Sequence, residues 1–285
     1  MAPTDQLARR PLEPAHVGHA VPLSAEAGWN QTSDDWRLML EIGEGWGLWN
    51  DSGRMVASGM IIPYAPRFAY ISMILVTADY RRRGIASDMM RWCMEAVEAR
   101  NMYAVLDATP AGRTVYQPLG FADIFGLHRL AAEAPRPAPV AGAAVRPMTL
   151  ADLAAVEAYD APVFGSDRAP VLRHLRERQP GRAFIAERDG RVSGFVLARD
   201  GRSAHHVGPL VAEDGATAIA LAARALEGID GLVYMDAADH QEEFGAWLED
   251  LGFTRQRPFI RMILGRDQPL DDPPRIFAAA GPEMG

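Results

Sequence analysis

The segment 71–90, ISMILVTADYRRRGIASDMM, has the composition of a strand, a tight turn and the start of a helix. Three consecutive arginines, Arg81, Arg82 and Arg83, precede Gly84 at the turn. Main-chain amides at a helix start, helped by the helix dipole and nearby guanidinium groups, bind anions. The glycine spacing differs from the dinucleotide fingerprint. The segment therefore predicts a phosphate-binding turn, and the alternative is a basic turn that caps an amphipathic helix.

The chain has 285 residues and 29 basic side chains, and every one of these is an arginine. The absence of lysine from the sequence excludes a Schiff-base lysine, a pyridoxal phosphate anchor, a Walker-type loop and a lysine-dependent kinase site. A net charge of -8 argues against a nucleic-acid partner, since such binding needs a basic surface. The acidic balance suits a small cationic or neutral substrate.

Metal and membrane signals are weak in this sequence. A single cysteine, Cys93, leaves no internal disulfide and no thiol-rich metal site. His16 and His19 are three residues apart, but no further ligands of suitable spacing follow, so we expect no metal. Apolar runs fall short of the roughly 18 residues of a membrane span, and the first residues lack the apolar run of a secretory signal. We expect no membrane association and a cytoplasmic location.

An aromatic side chain and two amides, Trp29, Asn30 and Gln31, follow one another between two predicted helices at 16–27 and 33–43. This combination suits the packing and orientation of a small polar ligand. The alternative is a plain helix cap in which Trp29 packs as a hydrophobic staple.

The same order of segments occurs twice along the chain, which is the signature of an internal repeat. The matching ranges are 49–62 with 186–197, 70–79 with 205–214, 103–110 with 232–239 and 118–124 with 250–256. Each copy has the predicted order β-α-α-β-β-β-α-β-α-β-β. The repeat predicts an α/β (α+β) fold with a mixed sheet and helices on both faces. The second copy is shorter between its central strand and the next strand, so it has lost the arginine-rich turn.

Apolar residues and capping residues position these elements. Ile85, Met89, Cys93 and Val97 recur every four residues after Gly84, which predicts a helix of about four turns with one face on the sheet. Ser33 is the predicted N-cap of the second helix, because acidic residues follow it in the first turn.

Composition also divides the chain into predicted domains. Prolines and alanines replace any periodic pattern in AAEAPRPAPVAGAA, which predicts a linker at 131–144. The domains are then 1–130 and 145–265, and 266–285 is a loosely held C-terminal tail.

The pattern Arg81-x-x-Gly84-x-Ala86, followed by Y-x-x-L-G-F at 116–121, resembles the motif Q/R-x-x-G-x-G/A and the next helix of the GNAT acetyltransferase superfamily. The resemblance covers roughly residues 7–265. It extends to a bacterial subgroup with two tandem GNAT-like domains, of which the second is degenerate. It implies that 1–130 is a catalytic GNAT N-acetyltransferase domain that uses acetyl-CoA.

The resemblance also assigns residues to the cofactor. In the family the amides of the motif loop hold the diphosphate of acetyl-CoA, and Leu75 and Val76 of the preceding strand offer backbone groups to the pantetheine arm. The loop positions here are Arg81, Arg82, Arg83, Gly84, Ile85, Ala86 and Ser87.

Tyr116 matches the family tyrosine that protonates the departing CoA thiolate. A core tyrosine is the alternative interpretation. Many family members carry an asparagine after the preceding strand, whereas this sequence has Gly112 there. Arg113 is the candidate replacement for that contact.

The resemblance implies acetyl transfer to a primary amine of a small molecule, by direct attack in a ternary complex, with Trp29–Gln31 in the acceptor region. An ammonium group must lose a proton before attack. The central strand offers Ser72 but no carboxylate, so Asp107 is the candidate base. Its alternative roles are counter-ion to the amine and cap of the Thr109–Pro110 turn.

Two other functions are also compatible with the sequence. One is a non-catalytic protein that binds CoA and responds to it, and the other is acyl transfer to a hydroxyl or to a protein N-terminus. The expected partner is a small-molecule amine, with neither nucleic acid nor membrane, and the chain is expected to be a monomer or a homodimer.

Overall fold

The structure, a computed structural model, describes residues 7–140 and 144–285. Its helices are α1 (Val17–Glu26), α2 (Ser33–Ile42), α3 (Ile85–Glu98), α4 (Pro110–Tyr116), α5 (Leu153–Phe164), α6 (Ala169–Arg178), α7 (Gly215–Leu226) and α8 (Glu242–Asp250). Its strands are β1 (Ala8–Pro11), β2 (Glu44–Trp49), β3 (Met55–Tyr64), β4 (Phe68–Val76), β5 (Tyr103–Ala108), β6 (Phe121–Glu133), β7 (Ala144–Pro147), β8 (Phe184–Arg188), β9 (Arg191–Arg199), β10 (His205–Ala212), β11 (Leu232–Ala238), β12 (Thr254–Leu264) and β13 (Ile276–Ala278).

The chain divides into two compact units, Met1–Val105 and Leu106–Gly285. In the first unit the strand order is β1-β2-β3-β4-β5. The first four strands are antiparallel to their neighbours, and β5 runs parallel to β4. Helix α3 packs on β3 and β4 through the predicted apolar series, since Ile85, Met89, Cys93 and Val97 are all buried.

Strand β4 departs from a regular ladder at two places. Its pairing with β5 comprises Phe68–Tyr70 against 103–105, and β4 then continues alone on that side to Val76. On its other side the register with β3 shifts between Ser58 and Met60, and Met73 takes a φ of 52°. This is a β-bulge, which bends the strand and redirects its backbone groups.

In the second unit the strand order is β12-β6-β11-β13-β10-β9-β8-β7. Helix α7 packs on β9 and β10. The core contains residues of both sequence copies: Leu130 from the first copy packs in one cluster with Val196, Leu221 and Phe244. Strand β6 therefore completes the sheet of the second copy.

The compact units do not follow the boundaries that the sequence predicts. Residues 106–130 belong to the second unit because β6 pairs with both β11 and β12. The predicted linker begins inside β6, which runs to Glu133, and its residues 141–143 lie outside the described part of the chain. The predicted tail is ordered by burial, since it contains β13 and the buried Met284.

Most predicted elements are confirmed, including α1, α2 and α3. Eight residues, 77–84, separate β4 from α3, and two residues, 213–214, separate β10 from α7, so the loss of the turn in the second copy is confirmed. Two predictions were wrong. A single strand, β6, closes the first copy instead of two, and Thr32 rather than Ser33 is the N-cap of α2. Thr32 and Asp35 form a capping box, which satisfies two amides that Ser33 could not.

Candidate functional site

The turn between β4 and α3 has the backbone of an anion-binding site. Gly84 precedes the helix with a φ of 81°, and Arg82 has a φ of 60°. A Cβ on Gly84 would meet no atom within 4 Å, so the glycine is needed for its backbone conformation and not for space. The first amides of α3 lack partners inside the helix, as at every helix start. This geometry offers donors to a phosphate group.

A cavity of about 230 Å³ lies on this turn. Most of the predicted cofactor residues line it, and Tyr80 joins them. The lining residues are Val76, Tyr80, Arg81, Arg82, Gly84, Ile85, Ala86 and Ser87. Two predicted residues lie elsewhere. Leu75 is buried in the sheet, and the Arg83 guanidinium stacks 4.7 Å from the centre of the Tyr80 ring.

Glu26, at the end of α1, holds the first residues of the turn. Its carboxylate accepts hydrogen bonds from Thr77 Oγ1 at 2.6 Å and from the Ala78 amide at 2.7 Å. Arg54 and Arg81 lie 3.7 and 3.9 Å from it. The Thr77 hydroxyl, the Ala78 amide and the two arginines lower the pKa of Glu26. Sequence reasoning missed this residue, because no motif links α1 to a turn about fifty positions later.

Arg81 also contacts the strand that leads into the turn. Its Nε donates to the Val76 carbonyl oxygen at 3.0 Å. Arg81 of the turn therefore fixes the end of β4 at Val76, which is one of the two residues predicted to contact the pantetheine arm. Glu26, Arg81 and Val76 together form one connected support for the cavity.

The connection between α1 and α2 is partly buried and is held by hydrogen bonds. The Trp29 amide donates to the Ser24 carbonyl oxygen, and Trp36 Nε1 donates to Ser24 Oγ at 3.1 Å. Asn30 and Gln31 are 2% and 3% exposed. Among the described residues the buried Oε1 of Gln31 has no hydrogen-bond partner. Such an acceptor is costly unless a ligand or water donates to it.

Ser72, on β4 next to the bulge, presents a second polar atom of this kind. Its side chain is buried, and its Oγ has no hydrogen-bond partner within residues 7–140 and 144–285. The neighbouring bulge is fixed from β3, because Ser58 Oγ donates to the Met73 carbonyl oxygen at 2.8 Å. The first unit thus holds a buried hydroxyl and a buried amide oxygen, each without a hydrogen-bond partner among the described residues.

Tyr116 ends helix α4, whose N-cap is Thr109. The ring is half-buried and packs on Phe121, with ring centres 6.1 Å apart. A Cβ on Gly112 would lie 2.9 Å from the Tyr116 ring, so the glycine lets the ring lie against the helix. Gly112 is therefore explained by its contact with Tyr116.

Arg113, the candidate replacement for the family asparagine, is engaged by an acidic neighbour. Its guanidinium makes three hydrogen bonds to Asp123, and Nε donates to Oδ2 at 2.9 Å. Both side chains lie at the surface.

Asp107 lies at the end of β5 in a buried ion pair. Arg261 donates from Nε to Oδ1 at 2.9 Å and from Nη2 to Oδ2 at 3.0 Å. The side chains are 1% and 2% exposed. Burial raises the pKa of Asp107, and the charge of Arg261 opposes this shift. Both carboxylate oxygens are thus occupied by one guanidinium, which is the geometry of an anchor and not of a group that meets substrate.

The corresponding turn of the second copy serves a different purpose. Asp214 is the N-cap of α7 and accepts from the Thr217 amide at 2.8 Å. Arg188 donates to the same carboxylate at 2.7 Å. Arg188 and Thr217 lower the pKa of Asp214 to about 2. The start of α7 is therefore capped by its own chain.

The described residues contain neither a cluster of metal-binding side chains nor a membrane-spanning helix. Within 7–140 and 144–285, no three histidine, cysteine or acidic side chains group closely enough to hold a metal ion. None of the helices in this part of the chain is long and apolar enough to cross a bilayer.

Both copies match known sequence families. The model of the acetyltransferase (GNAT) family matches residues 16–121, and the model of an acetyltransferase (GNAT) domain matches residues 156–278. Together the two matches cover most of the chain. No curated protein is similar enough in sequence to count as a match.

Solved structures share the fold at low sequence identity. A Pyrococcus horikoshii protein described as an acetyltransferase is 21% identical with a TM-score of 0.78, over 98% of this chain and 96% of that one. A GCN5-related N-acetyltransferase of Sphaerobacter thermophilus is 14% identical (TM-score 0.62; 90% and 95% covered). A tandem GNAT protein from the clavulanic acid biosynthesis pathway is 17% identical (TM-score 0.64; 90% and 98% covered). The chain belongs to the GNAT acetyltransferase family, as an acyltransferase with two GNAT domains in tandem.

Proposed function

We propose that the first GNAT copy transfers an acetyl group from acetyl-CoA to a primary amine of a small molecule, by direct attack while both substrates are bound. The observation that carries this proposal is the cavity on the turn 77–84, which has its arginines and helix amides in place. The second copy keeps two residues at the same position. We therefore assign the phosphate site to the first copy.

The turn suits the diphosphate of acetyl-CoA in shape and charge. Amides at the start of α3 donate to phosphate oxygens, and Arg81 and Arg82 supply positive charge without lysine. Glu26 keeps the entrance of the turn in one conformation through Thr77 and Ala78. When bound, acetyl-CoA supplies the activated thioester, and the turn is proposed to hold its diphosphate, which is remote from the reacting carbon.

Two features favour an amine as the acceptor. The buried Gln31 Oε1 and Ser72 Oγ have no partner within the described residues, and an amine can donate hydrogen bonds to both kinds of oxygen. The net charge of -8 favours the approach of a cation. Trp29 and Asn30, in the same connection as Gln31, are proposed to shape the acceptor site.

We assign proton transfer to Tyr116 and withdraw it from Asp107. The phenol of Tyr116 is half-buried at the end of α4, where a hydroxyl can protonate a thiolate leaving group. Asp107 has both oxygens bound to Arg261, so we propose that it anchors Arg261 and does not remove the proton from the amine.

A thiol-release screen with amino acids, polyamines and amino sugars tests the proposal. Release of CoA should depend on one class of amine, and mass spectrometry of the product should show an added acetyl group on nitrogen. Slow hydrolysis of acetyl-CoA that no amine accelerates would instead support a non-catalytic CoA-binding protein. Product acetylated on oxygen or on a peptide N-terminus would contradict the proposed acceptor.

A further inference from the structure

The second copy has a cleft at the position where the first copy is proposed to hold acetyl-CoA. The repeat relates Leu75 and Val76 of β4 to Leu210 and Val211 of β10. As β4 does with β5, β10 pairs with its parallel neighbour β11 only at its start, at His205 and His206. The two strands then separate, and main-chain groups of β10 from Leu210 onward need another partner.

Strand β13 fills this cleft. Leu210 pairs with Ala278 and Val211 pairs with Ile276, so β13 runs antiparallel to β10. On the other side Ala237 of β11 pairs with Ala278. The chain's own backbone thus pairs with Leu210 and Val211, the two residues that correspond to Leu75 and Val76.

The residues after β13 are also held by hydrogen bonds. The Ala279 amide donates to the Asp236 carbonyl oxygen at 3.0 Å, and His206 Nε2 lies 3.2 Å from the Ala279 oxygen. A Cβ on Gly208 would lie 2.0 Å from that same oxygen. Gly208 is therefore the residue that lets the segment pass.

Two buried arginines bind the far end of the segment. Arg199 Nη2 donates to Glu283 Oε1 at 2.5 Å, with both side chains at most 2% exposed. Arg168, itself paired with Asp160, donates from Nη1 to the main-chain oxygen of Gly285 at 2.7 Å. A buried charge needs such a partner, because alone it would be strongly destabilising.

We propose that the cleft between β10 and β11 is a peptide-binding site, occupied in cis by residues 276–285. Its ligand is an extended peptide with apolar residues at the positions of Ile276 and Phe277, small residues at 278–280 and a carboxylate at the position of Glu283. The strand is bound by addition to β10, and Arg199 selects the carboxylate. The equivalence with the acetyl-CoA position rests on the proposed function, whereas the peptide site does not.

Trypsin, which cleaves after arginine, provides a direct assay, because Arg275 immediately precedes the segment. Gly208→Ala should drive the segment out of the cleft, and cleavage after Arg275 and hydrogen exchange of the Ala279 amide should become at least about tenfold faster. Gly245→Ala is the matched control, since a Cβ there meets nothing within 4 Å, and it should behave as wild type. Cleavage and exchange at the wild-type rates in Gly208→Ala would overturn the proposal.

A second variant tests the site without a backbone clash. In Glu283→Gln the segment should be released, and a labelled synthetic peptide of residues 276–285 should bind to this variant more tightly than to wild type by at least about tenfold. The same peptide with glutamine in place of Glu283 should not compete. Equal binding of both peptides, or no binding to the variant, would overturn the proposal. None of these readouts uses acetyl-CoA, so failure of the proposed enzyme activity would leave them decisive.

Discussion

Asp107 and Arg261 come from different sequence copies and form one buried, bidentate ion pair. Its counterpart in the repeat also exists: Arg129 of the first copy donates to both oxygens of Asp236 in the second copy, at 2.8 and 2.7 Å. Strand β6 of the first copy and strand β12 of the second copy thus each carry an arginine that pairs with the aspartate of the other copy. The exchange explains why residues 106–130 belong to the second compact unit.

Asp107→Asn should affect stability far more than chemistry. Breaking a buried ion pair leaves Arg261 with less compensation and should cost roughly 3 kcal/mol of the free energy of unfolding. At a temperature where the variant is folded, kcat and its pH profile should match wild type. The exposed carboxylate of Asp88 is the control, and Asp88→Asn should cost less than about 1 kcal/mol. Urea unfolding and steady-state kinetics measure both effects, and a large loss of kcat in folded Asp107→Asn would restore the base role.

Tyr116→Phe should lower kcat by about 100-fold, since general acids typically contribute 10²–10⁴. The KM for acetyl-CoA should stay near the wild-type value, because the phenol is proposed to act on the leaving thiolate and not on the diphosphate. Tyr103→Phe, at an exposed tyrosine, is the control. Thiol-release kinetics measure the effect, and an unchanged kcat would remove Tyr116 from its role.

Glu26→Gln should weaken acetyl-CoA binding with little change in kcat. An amide replaces one acceptor oxygen by a donor, so either Thr77 or the Ala78 amide loses its partner, and a charge-assisted hydrogen bond is worth about 1.5 to 3 kcal/mol. The KM for acetyl-CoA should therefore rise by about tenfold. Glu41→Gln on the exposed face of α2 is the control. A lower kcat at an unchanged KM would contradict the positioning role.

His206 makes stability depend on pH. Burial lowers its pKa to about 4, with Asp236 opposing the shift and Arg199 and Arg129 adding to it. Histidine in the unfolded chain has a pKa of about 6.5, so between these two pKa values the unfolded state binds more protons. Stability is therefore lost as the pH falls from about 6.5 to 4.

His206→Gln keeps a donor for Ala279 and removes the titration. The difference between wild type and variant in the free energy of unfolding should change by about 2 kcal/mol between pH 7 and pH 5. His205→Gln, on the neighbouring partly exposed residue, should leave the pH dependence unchanged. Urea unfolding at the two pH values measures this difference. The same change in the free energy of unfolding for wild type and His206→Gln would contradict the role of His206.

Patterns in the sequence predicted those elements that depend on residues close together in the chain. The four-residue spacing from Ile85 to Val97 and the repeat in segment order gave the helix and the two copies, since apolar periodicity reflects burial directly. The turn before α3 was also readable, because its glycine and arginines are adjacent in sequence.

Contacts between distant segments could not be read in this way. The carboxylate of Glu26 binds Thr77, and Glu283 binds Arg199, and neither pair leaves a spacing pattern. The pairing of β6 with β11 and β12 joins strands that lie far apart in sequence. The sequence left Asp107 as the candidate base, because no local pattern reveals that its partner is Arg261, which lies 154 positions away.

Calorimetric titration with acetyl-CoA tests the central claim, that one of the two copies holds the cofactor on the turn at Gly84. We predict one acetyl-CoA per wild-type chain and no detectable binding to Gly84→Asp, in which a carboxylate faces the phosphate site. Gly18→Asp, at a position where an added Cβ meets no atom within 4 Å, should bind as wild type does. Two acetyl-CoA molecules per wild-type chain, or undiminished affinity in Gly84→Asp, would contradict the account.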